Sequence, residues 1–76
     1  MMIMKREMKL GRYQHFKGGE YLVVDVARCS ESEEVFVIYK ALYEGAEGLW
    51  IRPVKMFLEN VERDGKVFER FAYLGE

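Results

Sequence analysis

Six side chains combine flat rings with positive charge: His15 and Lys17 ahead of a Gly18-Gly19 pair, Tyr39 in an apolar run, Trp50 and Arg52 two residues apart, and Arg70 near the C-terminal end. Rings give stacking surface, and a guanidinium gives a planar fork of donors that fits a carboxylate, a phosphate or a backbone carbonyl. Gathered on one face of a small domain, with Tyr13 beside them, these residues would bind a polar ligand. Each also has a plainer reading. Trp50 is the only tryptophan, and in so small a domain its size favours a core plug. Arg52 and Arg70 can be tied up in ion pairs, with Glu31, Glu59 or Glu69 as partners. His15 can serve as a hydrogen-bonded turn residue, and Pro53 need only end a strand.

Other chemistries find weaker footing. A metal site would have to draw on His15, Cys29, Glu31 and Glu33, whereas structural zinc sites use Cys and His in spaced pairs and this chain has one of each. No metal or other cofactor is expected, and a solvated acidic turn explains the carboxylates. A Cys29 nucleophile with His15 as its base would make a small thiol-dependent enzyme. The plainer reading of Cys29 is a half-buried thiol packing at a strand end, so no catalytic residue is assigned. Gly45 and Gly48 lack the lysine and helix of a phosphate-binding loop.

The elements that must position these side chains are constrained by length. Seventy-six residues, half of them apolar and a third charged, make one folded domain with one compact core. Such a core supplies only a few kcal/mol of net stability, which homodimerisation would supplement, so monomer and homodimer are both compatible. The single cysteine allows no internal disulfide and fits a cytoplasmic setting. No stretch has the apolar length of a membrane span or the order of a secretory signal, so no membrane partner is expected. The net charge of −1 divides unevenly, +3 over residues 1–12 and −4 over residues 13–76. The folded part therefore lacks the overall positive field of a general nucleic-acid binder.

Residues 1–11 are expected to form a flexible basic leader and residues 12–76 the domain. Arg12 to Phe16 reads as an irregular lead-in to a turn at Gly18-Gly19. From Glu20 to Cys29 a β-branched run predicts a strand with Leu22, Val24 and Val26 on one face. Ser30 to Glu33 reverses the chain. The run Glu34 to Tyr43 predicts a second strand with Val35, Val37, Tyr39 and Ala41 on one face and Phe36, Ile38 and Leu42 on the other. Leu49 to Arg52 predicts a short third strand that Pro53 must end or leave on an edge. Beyond it Val54, Phe57, Leu58 and Val61 follow helical spacing, enough for one or two turns. Asp64-Gly65 marks a two-residue hairpin between Val61–Arg63 and Lys66–Phe68, and the tail to Tyr73 is the last strand. The layout is mainly β: four or five short strands and one short helical turn, in a small barrel or a strongly bent antiparallel sheet.

Five separated blocks then carry a likeness. They are Tyr13-x-His15-Phe16-Lys17-Gly18-Gly19-x-Tyr21, Ala27-x-x-Ser30-Glu31, Val37-x-Tyr39-x-x-Leu42-Tyr43, Trp50-x-Arg52-Pro53-x-x-Met56-Phe57, and Gly65 with Arg70-Phe71. In this order, over residues 12–73, the chain resembles the bacterial domain-of-unknown-function family 1653. The resemblance implies an SH3-like β barrel and a bacterial cytoplasmic setting, and it implies no activity. The chain departs from the family pattern in having Cys29 where a His is common and Ser32 where Thr is usual, which removes an imidazole from that position.

The sequence thus supports a non-catalytic binding module for a protein segment or another polar ligand, held by His15, Lys17, Tyr39, Trp50, Arg52 and Arg70. A nucleic-acid-binding module using the basic leader and the aromatic face, and a small metal- or thiol-dependent enzyme, are the alternatives.

Overall fold

The computed structural model describes residues 8–76. Seven strands and one short helix follow one another: β1 (Gly11–His15), β2 (Glu20–Arg28), β3 (Val35–Ala41), β4 (Trp50–Pro53), α1 (Val54–Phe57), β5 (Asn60–Arg63), β6 (Lys66–Glu69) and β7 (Phe71–Gly75). Five strands pair antiparallel in the order β4-β3-β2-β1-β7, and β5 with β6 forms a separate hairpin. The mainly β class with one short helical turn is as expected. No ladder closes the strands into a barrel among the described residues; the arrangement is an open sheet plus a hairpin. No helix of the described residues is long and apolar enough to cross a membrane.

The strand count exceeds the expected four or five because the segment after the Asp64-Gly65 turn divides into β6 and β7 in different sheets, and because Gly11–His15, expected as an irregular lead-in, is a central strand paired with both β2 and β7. Its alternation rests on one apolar side chain, Tyr13, which is buried while Arg12 and Gln14 point to the exposed face. In β2 the expected common face of Leu22, Val24 and Val26 is broken. Tyr21 and Val23 face the core, Val24 is displaced, and Val26 rejoins the inner face. The ladder with β3 shifts register between Val23 and Asp25, and the extra residue of such a bulge reverses the phase of every side chain beyond it. β3 keeps the expected alternation, and of its two apolar faces the one with Val37 and Tyr39 buried is the inner one.

Two local signals set the remaining elements. Pro53, with φ −55° and ψ 137°, ends β4 and leads directly into α1, whose Val54 and Phe57 are buried. Asp64 and Gly65 both adopt positive φ, 54° and 76°, as a two-residue hairpin of this type requires. Residues 1–7 of the expected leader lie outside the described residues. Met8 is buried and Leu10 packs against the core, so the polypeptide from Met8 onward belongs to the folded part.

The core consists of Met8, Tyr13, Val23, Val37, Tyr39, Val54, Phe57 and Phe71. Phe57 stacks on Phe71 with ring centroids 4.0 Å apart and meets Tyr13 edge-on at 5.1 Å. The Tyr13 hydroxyl donates to the Lys9 carbonyl at 2.7 Å. Burial first, then the Tyr73 hydroxyl and the Glu69 carboxylate, push its pKa up to about 12. The folded state therefore holds this proton more tightly than the unfolded chain, whose tyrosines titrate near 10. Stability should hold up to about pH 10 and fall between pH 10 and about 12. Tyr13→Phe should flatten that fall in a pH series of melts, and an unchanged slope would contradict it.

Gly11 closes the β1–β7 edge with φ 131°, and a Cβ there would lie 2.7 Å from the Gly75 carbonyl oxygen. Neither the dihedral nor the contact suits another residue. Gly11→Ala should cost about 2 kcal/mol in urea unfolding. A loss below about 0.5 kcal/mol would show that the strand end yields.

Candidate ligand-binding face

Register places the candidate residues. Tyr39 stands opposite Val23 on β2 and opposite Trp50 on β4, while Arg52 stands opposite Val37. Directly paired residues project from the same face of a sheet, so Trp50 and Arg52 leave β4 on the core side. On the other flank His15 stands opposite Phe71, and their rings meet edge-on at 4.9 Å. Tyr21 joins the two flanks, with its ring 5.5 Å from Phe71, 5.7 Å from Tyr39, 6.4 Å from His15 and 6.4 Å from Tyr43. One end of the inner face is thus a row of rings continuous with the core.

Cations border this row. Arg52 lies 5.8 Å over the Phe71 ring and donates its Nε to the Tyr39 hydroxyl at 3.3 Å. No carboxylate among the described residues pairs with it, so the expected ion pair is not the state of Arg52. Arg70 is paired, through Nη2 to Glu59 at 2.7 Å. Its backbone also links the end of α1 to the β1–β2 turn, with its N–H donating to the Glu59 carbonyl and its carbonyl accepting the Phe16 N–H. Lys17 is exposed and lies over the Phe16 ring at 5.8 Å.

His15 closes the β1–β2 turn: its N–H donates to the Gly19 carbonyl and its carbonyl accepts the Gly18 N–H, each at 2.7 Å. Its Nδ1 accepts the Lys17 N–H at 3.1 Å. Burial, then the charges of Arg70, Lys17 and Arg52, hold the imidazole below its ordinary pKa. The ring is therefore neutral at pH 7, and with Nδ1 occupied as an acceptor its proton sits on Nε2. The turn role and the position on the face coexist in this one residue. Burial, with the neighbouring Tyr43 and Tyr39 hydroxyls, raises the pKa of Tyr21 against the opposing pull of Arg52, which keeps that hydroxyl protonated as well.

Trp50 departs from its expected place. It is 56% exposed, whereas the buried aromatics are Tyr13, Tyr39, Phe57 and Phe71. The edge position of β4 accounts for this, because no strand pairs on its outer side among the described residues. The structure thus brings together His15, Tyr39, Arg52 and Arg70 around one end of the face, with Trp50 on its rim and Lys17 at the adjoining turn. Tyr21 and Phe71, absent from the expected set, form its floor. Their signal was alternation, Tyr21 with Val23 and Phe71 with Tyr73. Beside the turn a cavity of about 470 Å³ opens between β1 and the β6 strand, lined by Gln14, His15, Phe16, Val67 and Phe68 among others.

The thiol lies elsewhere. Cys29 follows the far end of β2, roughly 27 Å from the end beside His15 at about 3.4 Å per residue over the nine-residue strand. The N–H and hydroxyl of Ser32, then the N–H of Glu31, lower its pKa, but it has no imidazole partner, and a His15–Cys29 dyad is excluded. Among the described residues no three His, Cys, Asp or Glu side chains gather as metal ligands.

A five-stranded antiparallel sheet capped by one helical turn, with an aromatic and cationic end to its inner face, defines a class of small β domain. The chain belongs to the family described as "Protein of unknown function (DUF1653)", whose model matches residues 11–73. A crystal structure of a DUF1653 protein from Bordetella bronchiseptica is similar to it with a TM-score of 0.83 at 35% identity, over 93% of this chain and 92% of that one. No curated protein matches the chain.

Proposed function

We propose that the domain is a non-catalytic binding module that holds a protein segment or another extended polar ligand on the face formed by Tyr39, Trp50, Arg52, His15 and Arg70. The observation that carries this reading is the placement of the single tryptophan, which stands 56% exposed on the same face as an arginine that has no carboxylate partner among the described residues. A large ring left in water beside an unpaired guanidinium is the composition of interaction surfaces. The non-catalytic part of the reading is supported by the position of the thiol and hydroxyl nucleophiles away from this face: Cys29, Ser30 and Ser32 share the β2–β3 turn, and the chain has no threonine. In this reading the sheet and the β5–β6 hairpin are the two parts of an SH3-like fold working in the bacterial cytoplasm.

An amide chemical-shift titration of labelled protein against peptides, oligonucleotides and nucleotides tests the proposal. Saturable shifts should centre on Trp50, Arg52, Tyr39 and His15. Saturable binding that leaves these residues unmoved and perturbs only Val67, Phe68 and Gln14 would place the ligand in the neighbouring cavity and defeat the reading.

A further inference from the structure

The polar groups around this end of the face are nearly all donors. Arg52 uses its Nε on Tyr39 and pairs with no carboxylate among the described residues, so its terminal nitrogens remain for a ligand. His15, with Nδ1 taken by the Lys17 N–H, presents Nε2 as a donor while the ring is neutral. The buried Nε of Arg70 meets no acceptor among the described residues, although Nη2 is held by Glu59. The charged groups acting on His15 are Lys17 from its own turn, Arg70 from the β6–β7 junction and Arg52 from β4. Glu59 is committed to Arg70, and Glu69 lines the same cavity as His15. Phe16, Tyr21 and Phe71 supply the rings against it.

Donors without acceptors complement an anion, and a planar guanidinium fork matches two oxygens at once. The adjacent rings complement something flat. The folded part from Met8 onward adds Lys9 and Arg12 to the −4 of residues 13–76 and is net −2, which gives a polyanion no overall positive field along its length.

We propose that this face recognises a single oxyanion, carboxylate or phosphate, carried on a flat unsaturated group, with the Arg52 guanidinium as its main partner and His15 Nε2–H as a second donor. The inference rests on the binding-face reading above and names its ligand chemistry. It carries a pH consequence. A bound anion offsets the positive charges of Arg52, Lys17 and Arg70 and favours the imidazolium, whose second proton goes on Nδ1 at the expense of the Lys17 N–H contact, so binding takes up a proton and tightens as pH falls.

The test titrates labelled protein with benzoate, phenyl phosphate and the uncharged isostere benzamide. Benzoate or phenyl phosphate should give saturable shifts at Arg52, His15 and Phe71, and benzamide should bind at least about tenfold more weakly. The tighter of the two anions identifies the oxyanion. Arg52→Gln, checked for an intact spectrum, should also lose about tenfold or more. Benzoate should bind more tightly at about pH 6 than at about pH 7.5. Equal binding of benzamide, or unchanged affinity in Arg52→Gln, overturns the oxyanion proposal and leaves the face as a binding surface. Anion shifts confined to the cavity lined by Val67 and Phe68 overturn both.

Discussion

Phe57→Ala should leave the domain without a cooperative unfolding transition at room temperature. Phe57 is fully buried, stacked on Phe71 and edge-on to Tyr13 and Tyr39. Truncating a buried phenylalanine costs about 3–5 kcal/mol from lost burial and the cavity left behind. A domain of this size holds only about 3–5 kcal/mol in all. Collapse around the cavity offers little relief, because the neighbours are rigid rings fixed by three different strands. Trp50→Ala is the control. A ring 56% exposed on an edge strand should change stability by less than about 0.5–1 kcal/mol despite its size. Circular dichroism melts of the two variants check both, and a stable Phe57→Ala beside an unfolded Trp50→Ala would reverse the assignment of core and surface.

The second large effect is expected from Arg52→Glu. The substitution puts a carboxylate between Tyr39 and Phe71 where the face offers a guanidinium, replacing attraction for an anion by repulsion. Loss of a charge-assisted contact alone weakens binding by about 1.5–3 kcal/mol, or about tenfold to about a hundredfold, and reversal should abolish detectable benzoate binding. Arg52→Lys should not restore full affinity, since an ammonium has neither the planar fork nor an Nε to anchor on Tyr39. The fold should persist in both variants, because Arg52 is half-buried and contributes one long hydrogen bond. Calorimetric titration with benzoate reads the outcome; wild-type affinity in Arg52→Glu would remove this residue from the site.

Where the sequence announced structure, it did so through short-range chemistry. Asp64-Gly65 fixed a hairpin because two successive positive φ values suit few residues, and Pro53 followed by Val54 and Phe57 marked a strand end and a helical turn. The alternation of β3 grouped Tyr39 with Val37 on one face, and the grouping held because β3 pairs without a bulge to β4. Long-range features were hidden. β1 carries one buried ring in five residues, and its central position comes from pairing with β7, whose residues lie about sixty positions later. The bulge at Val24 reverses the phase of β2, so Leu22, Val24 and Val26 do not share one face and the place of Tyr21 on the floor went unread. Of the possible partners for Arg70, only the tertiary fold selects Glu59. Trp50 failed the size argument because burial depends on which strand lies at an edge; Pro53 allowed an edge position for this strand, and the structure puts β4 there.

In the proposed reading the end of the face bearing Trp50 and Arg52 is the surface that meets a ligand. Fluorescence of the single tryptophan reads it most directly. The free protein should show the red-shifted emission and ready iodide quenching of a ring in water, and saturating phenyl phosphate should protect it from iodide. A blue-shifted emission in the free protein, or unchanged quenching once binding is complete by chemical shift, would contradict the account.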